Sequence, residues 1–160
     1  MSQRSDALIA EAKRYLGLQE KPKNSNRGTQ IDYWIAECGL DPVGAHPWCA
    51  AFVGQVGRQA VGRAWPVPRT ASVAAIAAWA ATSKWLTTVP QRGDLFLLWS
   101  PELKRFAHVG IVTAFNGTGY DTIEGNTNPG GGRDGFGVFA RYRTRHSADR
   151  FVRWEEALNG

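Results

Sequence analysis

Cys49, in the run His46-Pro47-Trp48-Cys49-Ala50-Ala51-Phe52-Val53, is the side chain best placed for nucleophilic chemistry. Proline's fixed φ suits a first helical turn, so Pro47 predicts a helix starting just after it. Free N–H groups and the helix dipole stabilise an anion there, and a thiol so placed falls below its usual pKa of about 8.5. A lone helical cysteine is ordinarily a small buried hydrophobe, so the case rests on what accompanies it. A thiolate needs a base, usually histidine, and the histidine needs an orienting partner. His46 falls in the loop before the helix, and His146 in an arginine-rich late segment. His108 opens the apolar run Val109-Gly110-Ile111-Val112, where a strand can aim its ring. Glu124 and Asn126 flank Gly125 at period-two spacing, which puts both on one strand face. If that strand lies beside His108, one of them accepts the imidazole N–H; the alternative is a solvated strand end.

The elements that must position these groups divide into two halves. Leu8, Ile9, Ala12, Tyr15 and Leu16 follow helical periodicity, with Ser5 as cap and Gly17 as stop. Lys21 to Gly28 reads as a loop. Ile31, Trp34, Ile35 and Cys38 mark a second helix ending near Gly39. The third runs from Trp48-Cys49 to about Ala60, and Ala71 to Ala81 is a fourth, with Ile76 and Trp79 inward. After Pro90 the pattern changes to strands: Asp94–Trp99, His108–Val112, Gly119–Glu124, Val138–Arg143 and Arg150–Trp154, with a glycine-rich loop from Asn126 to Gly137. Helices followed by strands on short turns predict an α+β domain with an antiparallel sheet.

Composition narrows the class. The 160 residues suit one domain over 1–160. A net charge of +5 favours anionic partners. Arg133, Arg141, Arg143, Arg145, Arg150 and Arg153 gather late, and the alternation of the middle three suits a strand's solvent face or a binding stripe. No zinc-finger spacing or aromatic RNA-binding signature accompanies them, so no nucleic-acid partner is expected. Two cysteines without a CxxC are read as thiols. The segment from Met1 to Leu8 lacks a signal core, and no stretch reaches the roughly 20 apolar residues that span a membrane. Synthesis in the cytoplasm is therefore expected.

Pro47-Trp48-Cys49-Ala50-Ala51-Phe52-Val53, Gly93-Asp94-Leu95, His108-Val109-Gly110-Ile111-Val112 and Ile123-Glu124-Gly125-Asn126-Thr127 occur in the order seen in the CHAP amidase/peptidase family. The chain resembles that family from about Gly17 to Arg143. The resemblance implies a papain-like (NlpC-type) fold, N-terminal helices on a C-terminal antiparallel sheet, and cleavage of amide bonds in peptidoglycan. It makes Cys49 the nucleophile, His108 the general base, Glu124 the residue orienting the imidazole and Asn126 a further polar partner. The pattern Asn126-Thr127-Asn128-Pro129-Gly130-Gly131 with Val138-Phe139 looks most like phage lysins, which act on the wall after release from the host cytoplasm. A toxin delivered to a rival cell would use the same chemistry; a basic interaction module without catalysis is the other alternative. Trp48 is a candidate groove wall for substrate, with a core role as the equal alternative.

No cofactor is expected. Some relatives carry an aspartate-rich calcium loop ahead of the cysteine, where this chain offers only Asp41. Cys38, His46, Cys49 and His108 fit no common zinc spacing. The length leaves no room for a separate wall-binding domain, so a monomer would find the anionic envelope by charge and by its groove. Glu124→Gln, which keeps a hydrogen-bond acceptor, is expected to be milder than His108→Ala.

Overall fold

The computed structural model of the protein describes residues 2–130 and 135–159. Met1, residues 131–134 of the glycine-rich loop (with Arg133 of the arginine cluster and Gly131 of the lysin-like pattern) and Gly160 lie outside the described residues.

Four helices precede six strands: α1 (Gln3–Lys13), α2 (Thr29–Glu37), α3 (Cys49–Val61) and α4 (Val73–Thr82), then β1 (Leu86–Thr87), β2 (Leu95–Ser100), β3 (Arg105–Phe115), β4 (Gly119–Thr127), β5 (Gly137–Thr144) and β6 (Arg150–Val152). The strands form one antiparallel sheet in the order β1-β6-β2-β3-β4-β5. This is the expected α+β, papain-like arrangement of helices packed on a sheet.

Helix α3 organises the helical layer. Its residues Cys49 to Gly57 are all buried, Gln55 included. It packs against α1, α2, β3 and β4. Val109, Ile111 and Ile123 meet it from the sheet, and Phe52, Trp34 and Trp48 fill the space between. The other sheet face carries a second cluster, Phe96, Val112, Tyr120 and Phe151. Tyr120 on β4 and Phe151 on β6 stack edge to face at 5.1 Å, although two strands separate them, a span of roughly 14 Å in a flat sheet. The sheet is therefore curled, and this cluster lies inside the curl.

Boundaries differ from the sequence reading in instructive places. Ser2, not Ser5, caps α1: its hydroxyl accepts from the N–H groups of Arg4 and Ser5. Ser5 is buried and donates to Glu155 instead. The helix ends at Lys13, and Gly17, at φ +88°, closes the turns that follow. Trp79 is only partly buried and packs on Trp85. β1 had no sequence signal, being two residues held by β6. Trp154 lies beyond the last strand, in a 3-10 turn.

Candidate active site

His108 does not open its strand. β3 begins three residues earlier, because Arg105 and Phe106 pair with Ser100 and Trp99 across a tight turn. Nor does Glu124 sit at a solvated end: β4 continues to Thr127 and Glu124 is 0% exposed. His108 and Glu124 lie on the concave face of the sheet, on either side of Gly110. A Cβ on Gly110 would stand 2.5 Å from Phe96 and 3.0 Å from the Glu124 Cγ. Glycine there lets the Glu124 side chain lie over β3 and reach the imidazole.

The histidine's Nε2 donates to Glu124 Oε1 at 2.8 Å. The carboxylate is held from three sides. Arg143 donates through Nη2 to Oε1 and through Nε to Oε2, each at 2.7 Å. Thr122 donates its hydroxyl to Oε2 at 2.6 Å. Burial alone would raise the Glu124 pKa, but Arg143 and then His108 outweigh it and hold it well below the ordinary carboxylate range.

The other ring nitrogen of His108 serves Cys49. The β3–β4 ladder begins only at Ile111 opposite Ile123; nearer the active site the strands part and α3 enters the gap. Gly125 permits this. A Cβ there would stand 2.8 Å from both Phe52 and Trp48, so only glycine lets β4 lie against the first turn of α3. Cys49 is the first residue of that helix and is 3% exposed. Burial works to raise its pKa, yet the hydrogen bond and charge of His108, with the N–H groups of Val109 and Ala50 donating to sulfur, bring it below the usual thiol value. Burial likewise opposes the imidazolium, and the hydrogen bonds to Cys49 and Glu124 overcome it, pushing His108 up to about 9. A thiol lowered and an imidazole raised favour the thiolate–imidazolium form of the pair.

The pair opens into a groove of about 770 Å³. Asn126, at φ +53° where the β4 register shifts, lines this groove beside Cys49 and His108. The backbone turn directs it to the groove rather than along the face that Glu124 occupies, so period-two spacing does not describe it. Trp48 is no groove wall. It is 0% exposed, its indole N–H donates to buried Glu20 at 2.9 Å, and its ring packs on Trp34. As the residue capping α3, its side chain turns inward when Cys49 turns out.

The remaining expectations find places too. His46 lies against the Asp41 carbonyl at 3.1 Å, and His146 is exposed. Asp41 accepts from the Val43 N–H and caps a 3-10 turn. Neither cysteine is in a disulfide; burial pushes Cys38 up with no imidazole to offset it, so its pKa moves the opposite way to that of Cys49. Among the described residues no group of three or more His, Cys, Asp or Glu could hold a metal ion, and no helix is long and apolar enough to cross a membrane. The Gly93-Asp94-Leu95 motif is architectural: Asp94 accepts from Gln91 N–H and Arg153, and the Gly93 carbonyl accepts from Trp154.

Sequence reasoning missed Arg143, which it assigned to a solvated or binding stripe. The stripe does alternate, but its face is the inner one: Arg143 stands opposite Tyr120 and Arg141 opposite Thr122. The signal was the shared parity of Thr122 and Glu124 with a run of arginines, legible only once β4 and β5 are paired in register.

In fold, the crystal structure of Ly7917 is similar over 92% of this chain, with a TM-score of 0.52 and 16% identity, and the chain spans 61% of that one. Among curated proteins none matches in sequence. The model of the CHAP domain matches residues 41–126, more than half the chain, running from the turn before Cys49 to Asn126. That span takes in Cys49, His108 and Glu124, whose family chemistry is cysteine-dependent amide hydrolysis, and the chain belongs to the CHAP family.

Proposed function

We propose that the protein is a cysteine hydrolase that cleaves an amide bond in the peptide part of bacterial peptidoglycan, serving as a phage or prophage endolysin. The observation that carries this reading is the buried Cys49–His108–Glu124 relay at the head of α3, opening on a groove. Cys49 thiolate attacks the amide carbon, and the tetrahedral oxyanion forms beside the Cys49 backbone N–H, which has no partner within the helix. The His108 imidazolium gives its proton to the departing amine as the C–N bond breaks. Neutral His108 then takes a proton from water, whose oxygen attacks the thioester; the acid leaves and the thiolate returns. Glu124 keeps the ring aligned and stabilises its charged form throughout. The lysin assignment rests on the loop pattern after Asn126 and on the net charge of +5. It has the enzyme made in the host cytoplasm and reaching the wall on release.

The test compares purified walls treated with the wild type, Cys49→Ala and Cys38→Ser. Cys49→Ala should lose wall solubilisation while its circular dichroism stays unchanged, and Cys38→Ser should keep the larger part. Mass analysis of the new amine and carboxyl termini names the bond. A folded Cys49→Ala variant with full activity ends the cysteine-hydrolase reading.

A further inference from the structure

The groove is chemically one-sided. Its described lining contains the amides of Asn24, Asn26 and Asn126 and the hydroxyls of Thr70 and Ser72, but no carboxylate. It does contain Arg105, at the start of β3, which is exposed. The chain's other arginines are often spoken for: Arg27, Arg69, Arg92, Arg143 and Arg153 each pair with a carboxylate. Arg105 makes no such pair among the described residues, although it stands in the same groove as the nucleophile.

We infer that Arg105 binds a free carboxylate on the substrate peptide, two or three residues from the scissile amide, and so selects acidic over amidated substrates. The distance follows from the strand. Arg105 precedes His108 by three residues, roughly 10 Å along β3 at about 3.3 Å per residue. An extended peptide covers that span in about three residues. A guanidinium at this place matches a carboxylate through two parallel N–H donors. With no acidic side chain on the described walls, nothing there competes for it. The inference rests on the amide-hydrolase reading and adds which substrate that site prefers.

The experiment uses stem peptides with free carboxylates and the same peptides with those groups as primary amides. Turnover is measured for the wild type, Arg105→Ala and Arg105→Lys, and binding to Cys49→Ala, with and without Arg105→Ala, by titration calorimetry. A charge-assisted contact in a partly open groove predicts about a tenfold preference of the wild type for the carboxylate form, carried by KM. Arg105→Ala should bring the ratio of the two substrates to about one, and Arg105→Lys should restore part of it. Equal turnover of both forms by the wild type, or a ratio unmoved in Arg105→Ala, overturns the inference and leaves the hydrolase reading standing. Carboxylate-selective, Arg105-dependent binding without any turnover leaves the inference standing and sinks the hydrolase reading. No selective binding and no turnover overturns both.

Discussion

Replacing Glu124 by glutamine, expected from sequence to be milder than His108→Ala, tests the relay most sharply, because the carboxylate is also the counter-charge of Arg143. The wild-type carboxylate accepts four hydrogen bonds, two on each oxygen, from His108, Arg143 and Thr122. An amide has one acceptor oxygen and one NH2. Whichever way it turns, the NH2 faces an Arg143 donor, and the guanidinium, its side chain 16% exposed, loses its counter-charge. Removing one partner of a buried ion pair costs about 3–5 kcal/mol. The oxygen that survives places the loss near the lower figure, which at about 2–4 °C per kcal/mol corresponds to a fall in Tm of roughly 6–12 °C. Catalysis changes in a second way. The His108 imidazolium, at about 9 in the wild type, loses a neighbouring carboxylate of the kind that moves a pKa by about 1–3 units. The alkaline limb of the rate profile should therefore move down from near pH 9 to roughly pH 6–8. Initial rates against pH on one wall preparation, with thermal melts of both proteins, measure both effects. The linkage sign gives an internal control. Glu124's folded pKa lies below its unfolded one, so its stabilisation is present above about pH 4.3 and is lost as pH falls from there. The difference in Tm should accordingly be full at neutral pH and shrink in acid. A glutamine variant with the wild-type melt and alkaline limb would refute the four-bond carboxylate and the role given to Arg143.

Arg143→Ala should lower stability by about 3 kcal/mol, since it leaves Glu124 buried with fewer donors. Combined with Glu124→Gln it should fall short of additivity by about 0.5–3 kcal/mol, read from denaturant unfolding of the double-mutant cycle. Gly125→Ala should cost about 1–3 kcal/mol by overpacking Phe52 and Trp48, and its kcat should drop while Gly130→Ala, in the exposed loop, keeps the wild-type melt. Activity on whole walls should decline as salt rises while cleavage of a small soluble peptide holds steady, because screening acts on long-range attraction of the net +5 chain to an anionic surface. Equal salt dependence for both substrates would remove the docking role of the charge.

The sequence by itself determined the four helices, five of the six strands, and the thiol, imidazole and carboxylate of the site. Helix periodicity and the Pro47 start signal placed Cys49 at the head of α3. The short apolar runs placed His108 and Glu124 on strands, because burial patterns and turn residues are local properties of the chain. Strand ends were legible less well: β3 and β4 extend past the apolar runs because Arg105, Phe106 and Thr127 are held by partners on other strands. Tertiary structure alone decided which residues meet. Arg143 becomes the clamp on Glu124 only through the β4–β5 register, which no spacing encodes. Trp48 and Cys49 are adjacent in sequence, yet one turns into the core and the other to the groove, because the helix start rotates them apart and Glu20 supplies a buried acceptor for the indole. Asn126 leaves the face its spacing assigns because the backbone turns to positive φ where β4 meets α3. In each case the deciding geometry brings together segments distant in the chain, and it exists only after α3 has packed against the paired strands.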